Sequence, residues 1–214
     1  MNRDIADMRM NYTQGNLSES SVLENPMEQF QVWFDEATNS EILEPNALIL
    51  ATVNADNIPS ARTVLLKELD PQGFIFYTNY NSEKGQDIAE NNNVSLVFLW
   101  KEIERQVRIT GTAEKISSNR SEHYFHKRPI SSQIGAWVSP QSSVIESRAI
   151  LESRKKEIEK KYKDTDKIPL PDFWGGYIVK PIMLEFWQGR TSRLHDRIRY
   201  KSVNGTWKID RLAP

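Results

Sequence analysis

ALILATVN at residues 47–54, SARTVLLKEL at 60–69, GFIFYTNY at 73–80, VSLVFLW at 94–100 and RQVRITGTAEKI at 105–116 share one composition: β-branched and aromatic residues, with Asn, Asp, Pro and Gly in the gaps. Such residues fit a pleated, half-buried surface, and the gaps supply turns. Five antiparallel strands are therefore expected. Downstream, WGGYIVKPIMLEFWQG at 174–189 returns to strand. IRYKSVNGTWKIDRL at 198–212 reads as a hairpin turning at Asn204-Gly205, a pair that tolerates positive φ at both positions.

Helices fill the space around these strands. NPMEQFQVWFDEA begins with Asn25 as cap, Pro26 in the first turn and Glu28 at capping-box spacing, and presents Phe30, Trp33, Phe34 and Ala37 on one face. SEKGQDIAENNN at 82–93 predicts a short helix with Ser82 as its cap, and SNRSEHYFHKRP a second that Pro129 ends. SSVIESRAILESRKKEIEKKYK at 142–163 predicts a longer one, apolar at Val144, Ile145, Ala149, Ile150 and Ile158. Many strands, few helices and no βαβ rhythm imply a closed or nearly closed antiparallel barrel with peripheral helices. Residues 1–20 are polar and without period, and are expected as a loose arm ordered by a ligand or partner; residues 21–214 are expected as one domain.

Composition narrows the function. Lys and Arg number 28 against 29 Asp and Glu, so no global basic field exists to gather nucleic acid or anionic lipid, and any anion site must be local. The absence of cysteine removes disulfides, thiolate nucleophiles and cysteine-bound metals, and fits a reducing, cytoplasmic setting. No apolar run has the length of a membrane span. His123 and His126 stand beside Glu122, but no third ligand with metal-site spacing accompanies them. Neither a Rossmann glycine fingerprint nor a Walker loop occurs.

Four stretches carry polar groups that a packed sheet does not need. In ARTVLLKEL, Arg62 and Lys67 fall on opposite faces of a regular strand; a bulge would reunite them, and two surface cations are the plain alternative. Tyr77, Thr78, Ser82 and Lys84 lead into a helix N-terminus, which favours a phosphate, although a cap plus turn explains them as well. Tyr124, Arg128 and Ser132 recur every four residues, a hydroxyl, guanidinium and hydroxyl set suited to a phosphate monoester or to a solvated helix end. In EFWQGRTSRLHDRIRY, strand-like alternation turns Arg193, His195 and Arg197 the same way; they need an anion opposite, or pairing with carboxylates such as Asp196 or Glu185.

Taken in order, RTVLLK, FYTNYNSEKG, RQVRITG, YFHKRP, SQIGAWVSPQSS, EFWQG, RLHDR and WKIDRLAP resemble the pyridoxamine 5'-phosphate oxidase family from about Arg9 to Pro214. The resemblance implies a split β-barrel homodimer with FMN at the subunit interface. It implies oxidation of pyridoxamine or pyridoxine 5'-phosphate by O2 to pyridoxal 5'-phosphate, by hydride transfer from C4' to flavin N5, with release of H2O2 and, from the amine, NH3. It assigns FMN to Arg62, Thr63, Val64, Leu65, Leu66, Lys67, Tyr77, Thr78, Lys84, Gln106, Gln141, Ser142, Trp187 and Arg197. It assigns the substrate phosphate to Lys67, Tyr124, Arg128 and Ser132, the pyridine ring to Arg193 and His195 as catalytic pair, and closure to Arg9 and Tyr12. Glu83 departs from the family pattern, which has arginine after the serine, and is expected outside the site. A different split-barrel flavin reductase, or a module that only binds flavin or pyridoxal phosphate, are the alternatives.

Overall fold

The computed structural model describes residues 4–5 and 11–214. Its strands are β1 (Ala47–Val53), β2 (Pro59–Leu65), β3 (Glu68–Asp70), β4 (Gly73–Asn79), β5 (Asn93–Trp100), β6 (Arg105–Lys115), β7 (Trp174–Gln188), β8 (Asp196–Val203) and β9 (Thr206–Arg211). They form one nine-stranded sheet in the order β2-β1-β5-β6-β7-β4-β3, with β8 pairing β7 and β9 pairing β8. Helices α1 (Pro26–Thr38), α2 (Glu83–Glu90), α3 (Ser118–Lys127), α4 (Ile130–Val138) and α5 (Arg148–Lys161) complete the fold. Four of the five expected strands, the returning strand and the hairpin form as expected, while SARTVLLKEL breaks at Leu66-Lys67 into β2 and β3. Asn204 and Gly205 hold φ of 51° and 81°.

The chain divides into two compact units. The first comprises residues 1–50, 95–111 and 181–214; the second comprises 51–94 and 112–180. In the first, α1 starts as read: the Asn25 side chain accepts from the Met27 N–H, and Pro26 occupies the first turn. Its buried face, Phe30, Trp33 and Ala37, meets sheet aromatics. Phe30 lies 5.0 Å from Phe98, and Trp33 meets Phe186 edge-on at 5.1 Å. Alternation in β5 buries Leu96, Phe98 and Trp100 together.

Residues 11–17, expected loose, are tied to this unit. The N–H groups of Thr13 and Gln14 donate to Glu104, that of Leu17 donates to Asp196, and the Leu17 side chain is buried. Arg9 lies outside the described residues.

In the second unit, Phe125, Ile134, Val138, Ile168 and Trp174 form a core under α3 and α4. Pro129 ends α3 as expected but also stands at the N-cap of α4, a helix not expected from the sequence: a proline bars the preceding turn from continuing, yet suits a helix start. α5 begins at Arg148, leaving Val144 fully exposed, because the residues before it follow the Pro140 turn and face nothing apolar. Ser82 stands at the N-cap of α2, but its hydroxyl donates back to the Asn79 carbonyl and caps nothing.

Candidate active site

The second unit contains a cavity of about 590 Å³ lined by Arg62, Thr63, Val64, Leu65, Lys67, Tyr77, Thr78, Asn79, Glu83, Lys84, Tyr124, Arg128, Gln141, Ser142 and Trp174. This volume falls within the usual range for small-molecule sites. Arg62 and Lys67 both reach it because the strand breaks at Leu66-Lys67, between β2 and β3, which resets the alternation. Leu66 itself turns into the core, where only 6% of it is exposed. The hydroxyl-bearing residues Thr63, Thr78 and Ser142 share the lining with the cations, the Thr78 hydroxyl donating to Gln141 Oε1 at 3.4 Å.

Arg62 is held from several sides. Its Nη1 donates to Thr52 Oγ1 at 2.6 Å and to the Ser60 carbonyl at 3.2 Å, and Nη2 donates to Ser60 Oγ at 2.8 Å. Asp87 and Glu83 each stand 3.7 Å from Nη2. Lys84 is buried and donates to Ser82 Oγ at 3.2 Å; burial, then the nearby Arg62 charge, holds its ammonium below the ordinary lysine range.

Arg128 lies over the Trp174 ring at 4.7 Å, and its Nη1 is buried with no hydrogen-bond partner among the described residues. Burial lowers its guanidinium from the usual range. A buried donor left unpaired costs roughly 1–3 kcal/mol, and this one belongs to a residue that lines the cavity.

The cavity's aromatic wall is fixed by a network that sequence reasoning missed. Tyr77 stacks on Tyr124 at 3.9 Å and on Trp174 at 5.5 Å, and its hydroxyl donates to Glu68 at 2.5 Å. Arg120 clamps Glu68 at 2.8 Å and Asp70 at 2.9 Å. Burial would raise the Glu68 carboxyl, but hydrogen bonds from Tyr77 and Arg120 outweigh it and hold it low. Burial and then Glu68 push the Tyr77 phenol well above its usual range. Behind the wall, Gly176 makes room: a Cβ there would stand 2.6 Å from Ile116 and 2.9 Å from the Tyr77 ring. At Gly175 it would collide with the Tyr80 hydroxyl.

Of the predicted substrate set, Tyr124, Arg128 and Lys67 line the cavity. Ser132 does not, because the break at Pro129 rotates α4 out of register with α3. Asn79, Glu83 and Trp174 line it unpredicted; the position of Glu83 corrects its expected exclusion, since the first turn of α2 carries it to the cavity beside Arg62.

Gln106, Trp187, Arg193, His195, Arg197 and Tyr12 belong to the first unit. There Tyr12, Trp187 and His195 form an aromatic cluster, with His195 4.7 Å from Trp187 and 5.7 Å from Tyr12. His195 Nδ1 accepts the Arg190 N–H at 3.1 Å, which places the proton of the neutral ring on Nε2. The strand-like alternation expected for RLHDR fails. Residues 191–193 form a 3-10 turn, with φ of 58° at Ser192 and 60° at Arg193, and β8 begins only at Asp196. Arg197 does not wait for an external anion either. Its Nε donates to the buried Glu185 at 2.8 Å and its Nη1 to the Ala213 carbonyl, in line with the alternative of carboxylate pairing. Gln106 is half-buried on β6.

A split barrel with a cation-lined, aromatic-walled cavity defines the class: a mainly β protein of the split-barrel fold. Comparison with known proteins narrows it. Residues 34–162 match the family model described as pyridoxamine 5'-phosphate oxidase, and 174–214 match the pyridoxine 5'-phosphate oxidase C-terminal dimerisation region. The chain belongs to the pyridoxamine 5'-phosphate oxidase family. It is 56% identical to the pyridoxine/pyridoxamine 5'-phosphate oxidase of Nostoc punctiforme over all of both chains. It is 53% identical to that of Salinibacter ruber over 98% of this chain and 99% of the relative. Among solved structures, PhzG from Burkholderia lata, in complex with tetrahydrophenazine-1-carboxylic acid, is similar with a TM-score of 0.87 at 28% identity, covering 92% of this chain and 98% of that one. A pyridoxamine 5'-phosphate oxidase-related, FMN-binding protein from Nostoc punctiforme shares the fold, with a TM-score of 0.71 at 16% identity, covering 88% and 98%.

Among the described residues, no helix is long and apolar enough to cross a membrane.

Proposed function

We propose that this protein oxidises pyridoxamine and pyridoxine 5'-phosphate to pyridoxal 5'-phosphate with FMN and O2, as a cytoplasmic homodimer with FMN at the subunit interface. The observation that carries this reading is the buried, unpartnered Nη1 of Arg128 in a cavity that also collects Arg62, Lys67 and Lys84. That donor set fits phosphate esters, for which a guanidinium fork and hydroxyls supply matched hydrogen bonds. The 53–56% identity of full-length relatives named for this activity supports the same reading.

FMN, when bound, supplies a two-electron acceptor that O2 reoxidises, and the substrate's C4' hydrogen is the hydride it would take. The protein's part is placement. Arg62, Lys84 and the hydroxyls of Thr63, Thr78 and Ser142 would hold the flavin, with Leu66 packing from behind; Gln106, Trp187 and Arg197 are proposed for the interface of two copies. Arg128, Lys67 and Tyr124 would hold the substrate phosphate, and Tyr12 would close over the bound substrate. His195 would donate from Nε2 to the substrate ring, because Nδ1 is committed to the Arg190 N–H. Arg193 would press on the same ring, and its positive φ is the kind of strain that persists at functional positions. Alignment of this sort contributes up to about 7–11 kcal/mol to a rate.

The test is direct. Purified protein should show a flavin absorption spectrum and release peroxide when pyridoxamine 5'-phosphate is added. Arg193→Ala should stay yellow while turnover falls. Protein that binds flavin but yields no peroxide would overturn the oxidase reading and leave the flavin-reductase and binding-module alternatives.

A further inference from the structure

We propose that Glu83 is a specificity-determining residue of the cavity: its carboxylate sits beside Arg62 where a ligand's phosphate would go, and sets how tightly that phosphate is held. The inference rests on the flavin-phosphate reading of Arg62 and Lys84 given above.

Arg62 has two carboxylates at the same 3.7 Å, and they differ in kind. Asp87 is buried at 5% exposure and anchored by Thr52 Oγ1 at 2.5 Å, so it is a permanent counter-ion that the fold requires. The Glu83 side chain is 62% exposed, and its one hydrogen bond among the described residues is from Ser60 Oγ at 3.1 Å. Arg62 is thus already offset by Asp87, and Glu83 is not needed as its counter-ion. Among the described residues it is also the only carboxylate on the cavity lining, beside Arg62, Lys67, Lys84 and Arg128. A phosphate arriving at Arg62 must either displace Glu83 or share the guanidinium with it, and both cost affinity.

Glu83 does serve the helix. As the first residue of α2 it stands at the positive end of the helix dipole, where a negative side chain is favourable. Stability of the flavin-free protein and affinity for a phosphorylated ligand therefore pull in opposite directions at this position. A purely structural glutamate would move both the same way when replaced.

The experiment compares full-length wild type with Glu83→Gln, stripped of flavin and titrated with FMN and with riboflavin, which lacks the phosphate. Flavin fluorescence gives the affinities. FMN should bind the variant more tightly, on the order of fivefold, as expected for relieving one exposed charge against a dianion. Riboflavin should bind both proteins equally. The gap should close in 1 M NaCl, where the screening length is about 3 Å. The flavin-free Tm should fall by about 1–3 °C. Glu83→Arg should tighten FMN further, and serves if the glutamine variant folds poorly. Equal FMN affinity, weaker affinity, or an equal change for riboflavin overturns the role of Glu83 while leaving the flavin reading intact. If neither protein binds FMN, that reading falls, and this inference with it.

Discussion

Two regions of this molecule are rich in cations, and they treat them differently. On the β7–β8 face of the first unit, Arg197 and Arg108 share the buried Glu185, Arg199 meets Asp210 at 2.8 Å although its Nε has no hydrogen-bond partner among the described residues, and Arg211 bridges Asp196 and Glu19 at 2.8 Å each, so each of these guanidiniums has a carboxylate counter-ion. In the cavity of the second unit, Arg128 keeps an unpaired Nη1, and Lys84 has one hydroxyl as its partner among the described residues. Charge satisfied from within is architecture. Charge held back, at a cost in desolvation, is a place for something to bind.

The strongest way to break this contrast is at Glu185. Its replacement by alanine strips two arginines of their shared, buried counter-ion, and should cost about 2–3 kcal/mol of unfolding free energy, the usual penalty being discounted because Arg197 is partly exposed. Denaturant unfolding measures it; a loss under 0.5 kcal/mol would mean those pairs are ornamental.

Next in size is Arg128→Ala. It should raise KM for the phosphorylated substrate about 10- to 100-fold, the worth of a charged hydrogen-bond set, and leave stability nearly unchanged. Unfolding at much lower denaturant would class Arg128 with the paired arginines instead.

Lys84→Met sharpens the difference at smaller scale. Removing a buried ammonium with so little internal compensation should leave the flavin-free protein as stable as before or up to about 1 kcal/mol more so, while FMN binds less well. A clear drop in stability would contradict the idea that this charge is held for a ligand.

The smallest effect is expected at the surface pair of Glu19 and Arg211. Hydrogen bonding to Arg211 lowers the Glu19 carboxyl from 4.5 to about 2. A depressed carboxylate contributes stability that is fully present above its unfolded value and lost as pH falls toward its folded one. Wild type should therefore lose a little stability between pH 4.5 and 2 that Arg211→Gln does not, read as a flatter acid limb in a melting series.

Much of this was legible in the sequence because it is local. Strand composition from Ala47 to Ile116, the Asn25 cap and the Asn204-Gly205 turn depend on neighbours in the chain, and they formed as read apart from the break at Leu66-Lys67 that divides β2 from β3. The cavity's cations were legible as residues out of place in a sheet. What escaped depends on contacts far along the chain or on backbone exceptions. Nothing within ten residues of Glu68 announces that Arg120 will clamp it, 52 positions away. Alternation around Arg193 was misread because two consecutive positive φ values cancel the period on which such reading relies. Pro129 was read as a stop when it is equally a start.

The glycine pair in β7 carries a last implication. Tyr77 cannot yield to a methyl group at position 176, because its hydroxyl is pinned by Glu68 and its ring is sandwiched against Tyr124. The depth available to a ligand's flat face is therefore metered by atoms that are missing from the strand behind it. Selection on that depth would act through Gly176, which is not part of the lining, and a screen that looked only at the lining would never find it.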